Sequence, residues 1–275
     1  MTQSATIYAN VTSVRVELPS PCEEVLPGVP WGAVDAFPTP AYWVYQVMYR
    51  RVAGGPPAYK LGHTLAEEVG ACLLGGHGIP ASVGLAAFEQ LRSLGAFSES
   101  CPTQSQLLTW LSQPVVVKGK EVRYRFATQK SKYLASALQA IDSAPPACTG
   151  LDLRNWLREL PGIGFKTASW VARNWLNADD VAILDVHILR FGQAIGLFPA
   201  KLTVERHYLE LEQLFLALCR GMNVRPSEMD AVIWHEMATS PLTVRRMVKQ
   251  LEGTPDKPAA PRRRAQADTQ LSLLA

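Results

Sequence analysis

Apolar residues come in short blocks, and the polar, glycine and proline residues between blocks carry helix-boundary signals. Thr39 before Pro40 offers a cap followed by a proline suited to the first helical position, so the aromatic run Tyr42–Tyr49 is predicted to be helical to about Val52. Thr64 and Glu67 have capping-box spacing ahead of Leu65–Leu74, which Gly75 and Gly76 stop. Ala81–Leu94 ends at Gly95, Thr103 and Gln106 repeat the box for Gln104–Ser112, and Lys130–Ile141 reads as another helix. Helices are predicted further on over Leu153–Leu160, Phe165–Leu176, Val186–Ile195, Val204–Met222 and Glu228–Ala238.

Strand signals are few. Ala5–Leu18 has the β-branched content of a strand or an extended surface segment, and Val115–Val117 with Glu121–Phe126 reads as a short hairpin turning at Gly119. The expectation is a mainly α protein in three parts: an extended segment at 1–38 with short strands, a helical domain at 39–252, and a basic tail at 253–275. That tail, with Arg262–Arg264 among prolines and alanines, lacks the apolar residues to order itself.

Composition narrows the classes of function. With 275 residues, 48% of them hydrophobic, the chain is long enough for one large or two modest cores. Its apolar runs fall far short of the roughly 20 residues of a membrane helix. The N-terminus lacks a signal-peptide pattern, so a cytoplasmic, nucleoid-associated protein is expected. The five cysteines form no C-x-x-C pair, which argues against a zinc knuckle, an iron–sulfur loop or a disulfide framework, so no metal or cofactor is expected. A net charge of +3 is too mild to establish a nucleic-acid partner and does not oppose one.

The chemistry concentrates in Leu160-Pro161-Gly162-Ile163-Gly164-Phe165-Lys166-Thr167-Ala168, a turn between two predicted helices at about 153–176: a helix-hairpin-helix. The amides around Gly162, Ile163 and Gly164, with the dipole of the second helix, suit a DNA phosphate, and glycine lets it approach. Such a hairpin serves pure DNA binding as readily as catalysis, and on its own leaves Lys166 as either a phosphate contact or a nucleophile.

A second feature lies 19 residues beyond Lys166, in Ile183-Leu184-Asp185-Val186-His187-Ile188-Leu189-Arg190. A lysine opening the hairpin's second helix and an aspartate opening the next resemble the helix-hairpin-helix superfamily of base-excision glycosylases. The chain is most similar to the 8-oxoguanine DNA glycosylase/AP lyase family in its compact second, archaeal and bacterial class. The resemblance runs from about Arg125 to Trp234 and takes in Arg125-Phe126, Lys132-Tyr133, the hairpin, the Asp185 segment, and Ser227–Asp230 leading to Ile233-Trp234.

It implies two helical subdomains with a cleft between them and a monomer acting on double-stranded DNA that holds a damaged base. Lys166 would attack C1′ as the free amine, Asp185 would stabilise charge on the sugar and relay protons, and the Schiff base would break the strand by β-elimination. Asp185 also suits a plain helix cap, and His187 either a phosphate contact or a packed histidine. Phe126 and Trp234 would sandwich the flipped base with Asp230 at its edge, against the alternative that the aromatics are core. His77, in Gly75–Pro80, is a wedge candidate or a turn residue.

The chain departs from the resemblance in continuing well past Trp234, whereas the class ends soon after that helix and reads the base with its terminal carboxylate. The related endonuclease III branch is disfavoured, because only Cys219 lies beyond Cys148 where four cysteines would hold a cluster. The alternatives are a glycosylase for another modified base and a noncatalytic DNA-binding protein.

Overall fold

The computed structural model describes residues 2–9, 12–55, 59–76, 78–98, 101–144 and 148–252. The chain divides into two compact units, one formed by residues 59–181 and the other by 1–58 with 182–275. Residues 1–38 fall in the second of these units, and residues 253–275 lie outside the described part.

The 59–181 unit is built on α2 (Leu65–Leu74), which is almost wholly buried and packs against α3 (Ala81–Ser93), α5 (Ala127–Ile141) and α7 (Phe165–Leu176). Its core includes Val69, Leu73, Leu74, Phe88, Leu91, Leu134, Leu157 and Val171, each such side chain stabilising the fold by about 1.5–3 kcal/mol relative to exposure. α4 (Gln104–Ser112) packs on α5, and α6 (Gly150–Leu157) on α7.

The other unit begins with an antiparallel hairpin, β1 (Gln3–Ala9) with β2 (Thr12–Leu18), in the register Gln3↔Leu18 to Ala9↔Thr12. Ile7, Ala9 and Leu18 are its buried positions. A small ladder, β3 (Glu24–Leu26) with β4 (Val29–Pro30), follows. The Gln3 amide donates to Pro19 O and Gly32 O and accepts from Val34 N–H, closing this region over its own backbone. α1 (Pro40–Ala53), α8 (Val186–Ala194), α9 (Val204–Gly221), α10 (Pro226–Thr239) and α11 (Pro241–Glu252) complete the unit. Edge-to-face rings, Trp43 on Phe191 at 5.8 Å and Phe191 on Phe215 at 6.4 Å, form its centre.

Several local expectations are corrected. Thr64 caps Glu67 N–H, but the Glu67 carboxylate accepts from His63 N–H instead of Thr64 N–H and also pairs with Arg92, so the reciprocal half of the box is missing. The strand predicted over Glu121–Phe126 is only β6 (Lys120–Val122), paired with β5 (Val115–Val117). Lys118 and Gly119 both have positive φ there, the pattern of a two-residue hairpin turn. α5 begins three residues early, at Ala127, with no side-chain cap. α6 starts at Gly150 because Thr149 and Asp152 form a capping box that the helix predicted from Leu153 overlooked, and α11 was not predicted. The cysteines are thiols outside any disulfide, Cys72 and Cys219 in the core and Cys22, Cys101 and Cys148 exposed. Among the described residues no helix is long and apolar enough to cross a membrane.

Candidate active site

The hairpin forms where α6 ends. Leu160 N–H closes onto Leu157 O and Ile163 N–H onto Leu160 O, and Gly162 takes φ +80°, a region costly to residues with a β-carbon. Ile163 is only 5% exposed. Its side chain anchors the turn in the core, and its amide donates to Leu160 O at 3.2 Å.

Gly164 is the N-cap of α7 and offers no side-chain oxygen to the first amides of that helix, where the positive end of the dipole lies. A β-carbon on Gly164 would meet nothing within 4 Å, whereas one on Gly162 would strike the Tyr133 ring. Arg158 stacks over Phe165 at 3.4 Å from the ring centroid, which places a cation beside this helix start. Sequence reasoning passed over that arginine.

Lys166 is the second residue of α7 and half-buried, and among the described residues its Nζ makes no hydrogen bond or ion pair. The helix turns Ala168, Val171 and Ala172 into the core. Trp170, one turn beyond Lys166, lies where a β-carbon on Gly75 would approach its ring to 3.2 Å. Phe126, half-buried at the start of α5, lies 3.7 Å from where a β-carbon of Gly78 would stand. Trp170 thus lies beside Gly75 and Phe126 beside Gly78. His77, the wedge candidate, lies outside the described residues. Burial lowers the pKa of Lys130, one turn after Phe126.

In the other unit Asp185 caps α8. Its Oδ1 accepts from His187 N–H at 2.8 Å and Ile188 N–H at 3.0 Å. Its Oδ2 makes no hydrogen bond among the described residues, so the cap occupies one carboxylate oxygen only. His187 meets Asp185 through its backbone amide.

Asp230 and Trp234 are one turn apart on α10, Asp230 buried and Trp234 half-buried. Arg51 on α1 forks onto Glu228, with Nε 2.9 Å from Oε1, and Arg50 reaches Glu236 at 3.2 Å, which fixes the flanks of that helix. Of the predicted residues, Phe126, Gly162, Ile163, Gly164 and Lys166 share one unit, and Asp185, His187, Asp230 and Trp234 share the other. No cluster of histidine, cysteine or acidic residues suited to a metal occurs among the described residues.

Residues 65–224, more than half of the chain, match a family model described as 8-oxoguanine DNA glycosylase. The chain belongs to that family. This glycosylase-family match begins at α2, well before the similarity read from Arg125 onward, and stops ahead of α10, so Asp230 and Trp234 fall beyond it.

Among curated relatives, the 8-oxoguanine DNA glycosylase/AP lyase of Thermoplasma acidophilum is 34% identical over 122 residues, 42% of this chain and 58% of the relative. That of Methanocaldococcus jannaschii is 40% identical over 140 residues, 46% of this chain and 64% of the relative. The chain thus spans about three-fifths of the length of these relatives. A crystal structure of the M. jannaschii 8-oxoguanine DNA glycosylase aligns with a TM-score of 0.49 at 26% identity, covering 62% of this chain and 76% of that one.

Proposed function

We propose that this glycosylase-family chain is a bifunctional DNA glycosylase/AP lyase that removes 8-oxoguanine from double-stranded DNA, acting as a monomer at the nucleoid. One observation carries the reading: Asp185 caps α8 with Oδ1 alone, which leaves Oδ2 for chemistry, while Lys166 opens α7 with no acidic partner among the described residues.

The Lys166 amine attacks C1′ as the glycosidic bond breaks, and the bonding pair leaves with the base, which takes up a proton. The Asp185 carboxylate stabilises the positive charge on the sugar and accepts the proton the amine loses. Ring opening gives a Schiff base to C1′. Loss of a proton from C2′ then expels the 3′ phosphate, and hydrolysis of the imine returns the lysine. No cofactor enters this sequence. Gly162 and Gly164 let the DNA backbone approach the hairpin, with the first amides of α7 holding a phosphate, and Phe126 and Trp234 stack on the flipped base. The family match and the relatives' printed activity support this substrate.

The test is borohydride trapping on duplexes carrying 8-oxoguanine, an abasic site, uracil or another modified base. Wild type is expected to release 8-oxoguanine and form a covalent adduct, and Lys166→Gln is expected to form none while keeping duplex affinity. Adduct formation by Lys166→Gln would overturn the lysine assignment. Abasic-site cleavage without 8-oxoguanine release would point to a glycosylase for a different base, and duplex binding with no reaction on any substrate to a noncatalytic protein.

A further inference from the structure

Residues 182–184 lead into Asp185 outside any helix or strand. Their polar backbone groups have no ladder to join, and buried groups of that kind need partners. α9 supplies them. Ala182 N–H donates to Glu212 Oε1 at 2.9 Å, Tyr208 O–H donates to Ala182 O at 2.6 Å, and Leu184 N–H donates to the same hydroxyl at 3.2 Å. Ala182, Leu184, Tyr208 and Glu212 are all buried.

Tyr208 and Glu212 stand one helical turn apart, on one face of α9 just past its kink at His207. A fully buried carboxylate is costly unless its hydrogen bonds serve a purpose. Here Glu212 accepts from Ala182 N–H, while Tyr208 holds Ala182 O and Leu184 N–H of the segment that ends at the α8 cap.

We propose that Tyr208 and Glu212 are positioning residues for Asp185. They hold the backbone of residues 182–184 so that the Asp185 carboxylate keeps Oδ1 on the α8 amides and Oδ2 free for the reaction. This inference rests on the role of Asp185 proposed above.

The experiment uses the full chain with Tyr208→Phe, which deletes the hydroxyl and keeps the ring. It measures single-turnover base release from an 8-oxoguanine duplex, duplex Kd, and hydrogen exchange at the His187 and Ile188 amides, beside Asp185→Asn. Base release in Tyr208→Phe is expected to fall about 10- to 100-fold, the scale for a catalytic group misplaced by ~1 Å. Kd is expected to stay within about twofold, since the DNA contacts are untouched. Exchange at His187 and Ile188 is expected to rise about 10-fold while that of α10 amides holds, as for a local opening. Glu212→Gln, which keeps an oxygen for Ala182 N–H, is expected to lose less activity than Glu212→Leu.

Unchanged base release in Tyr208→Phe, or exchange raised uniformly across the unit, would overturn the inference and leave the pair as ordinary core. A wild-type rate in Asp185→Asn would instead sink the role of Asp185 itself. The exchange readout still reports in that case whether the pair holds the segment.

Discussion

Gly162 lies directly against the ring of Tyr133: a β-carbon on Gly162 would fall 2.1 Å from Tyr133 Cδ2. The first glycine of the hairpin is thus required by its positive φ and by the helix behind it, independently of any phosphate in front. Gly164 faces open space at an ordinary φ of −88°.

The two glycines should therefore separate fold from binding. Gly162→Ala is expected to cost about 2–4 kcal/mol of stability through left-handed strain and overpacking. Gly164→Ala should leave thermal stability near wild type and weaken binding of all DNA sequences alike, by about tenfold, because its methyl group would stand in the path proposed for a phosphate. Melting curves and duplex titrations check both. A sequence-selective loss in Gly164→Ala would contradict backbone recognition by this turn.

What the sequence made legible is what local rules encode. Thr39 and Pro40 start α1, Phe165–Leu176 is helical over the whole predicted range, and Asp185 caps α8 as its position before Val186 implied. The start of α5 was missed because Phe126 offers no side-chain cap. The Tyr133 ring behind Gly162 and the Glu212 carboxylate at Ala182 were not legible either: the latter contact spans 30 residues, and a buried glutamate on a helix has no pattern that tells it from a solvated one. Residues 1–38 read only as a strand or an extended segment because alternation over seven-residue strands is a weak signal; the burial of Ile7, Leu18, Val29 and Trp31 comes from tertiary partners.

Asp185 caps α8 through Oδ1, and two substitutions divide that cap from the catalytic duty proposed for the residue. Asparagine caps helices about as well as aspartate, so Asp185→Asn should keep stability within about 0.5 kcal/mol, whereas Asp185→Ala should lose about 1 kcal/mol. Both should slow base release by on the order of 10²-fold or more, as when a preorganised charge is removed. Chemical denaturation with single-turnover kinetics gives the comparison. Wild-type kinetics in Asp185→Asn would reduce the residue to a cap.

His235, on α10, has its pKa lowered first by burial and then by Arg50, with Glu236 opposing. The folded state therefore favours the neutral imidazole. Its contribution is in place above the ordinary histidine range near pH 6.5 and is lost as pH falls through the lower folded value. The difference in Tm between wild type and His235→Gln should shift against wild type on going from pH 7 to pH 5. A difference that stays constant over that interval would show that protonation of His235 is not linked to unfolding.

Asp230 is buried on the same helix, one turn before Trp234, and lies beyond the part of the chain that matches the family model. If it reads the base edge, the feature to read is the N7 proton that 8-oxoguanine carries and guanine lacks. A carboxylate accepting that proton contributes about 1.5–3 kcal/mol, or roughly 10- to 100-fold in rate when the bond is made in the transition state. Asp230→Ala should therefore slow release of 8-oxoguanine by that factor while leaving cleavage of a preformed abasic site within about threefold, because no base remains there to be read. Equal losses on the two substrates would assign Asp230 to the fold of α10 or to the chemical step. No loss on either would remove it from the site and leave discrimination of the oxidised base to other residues.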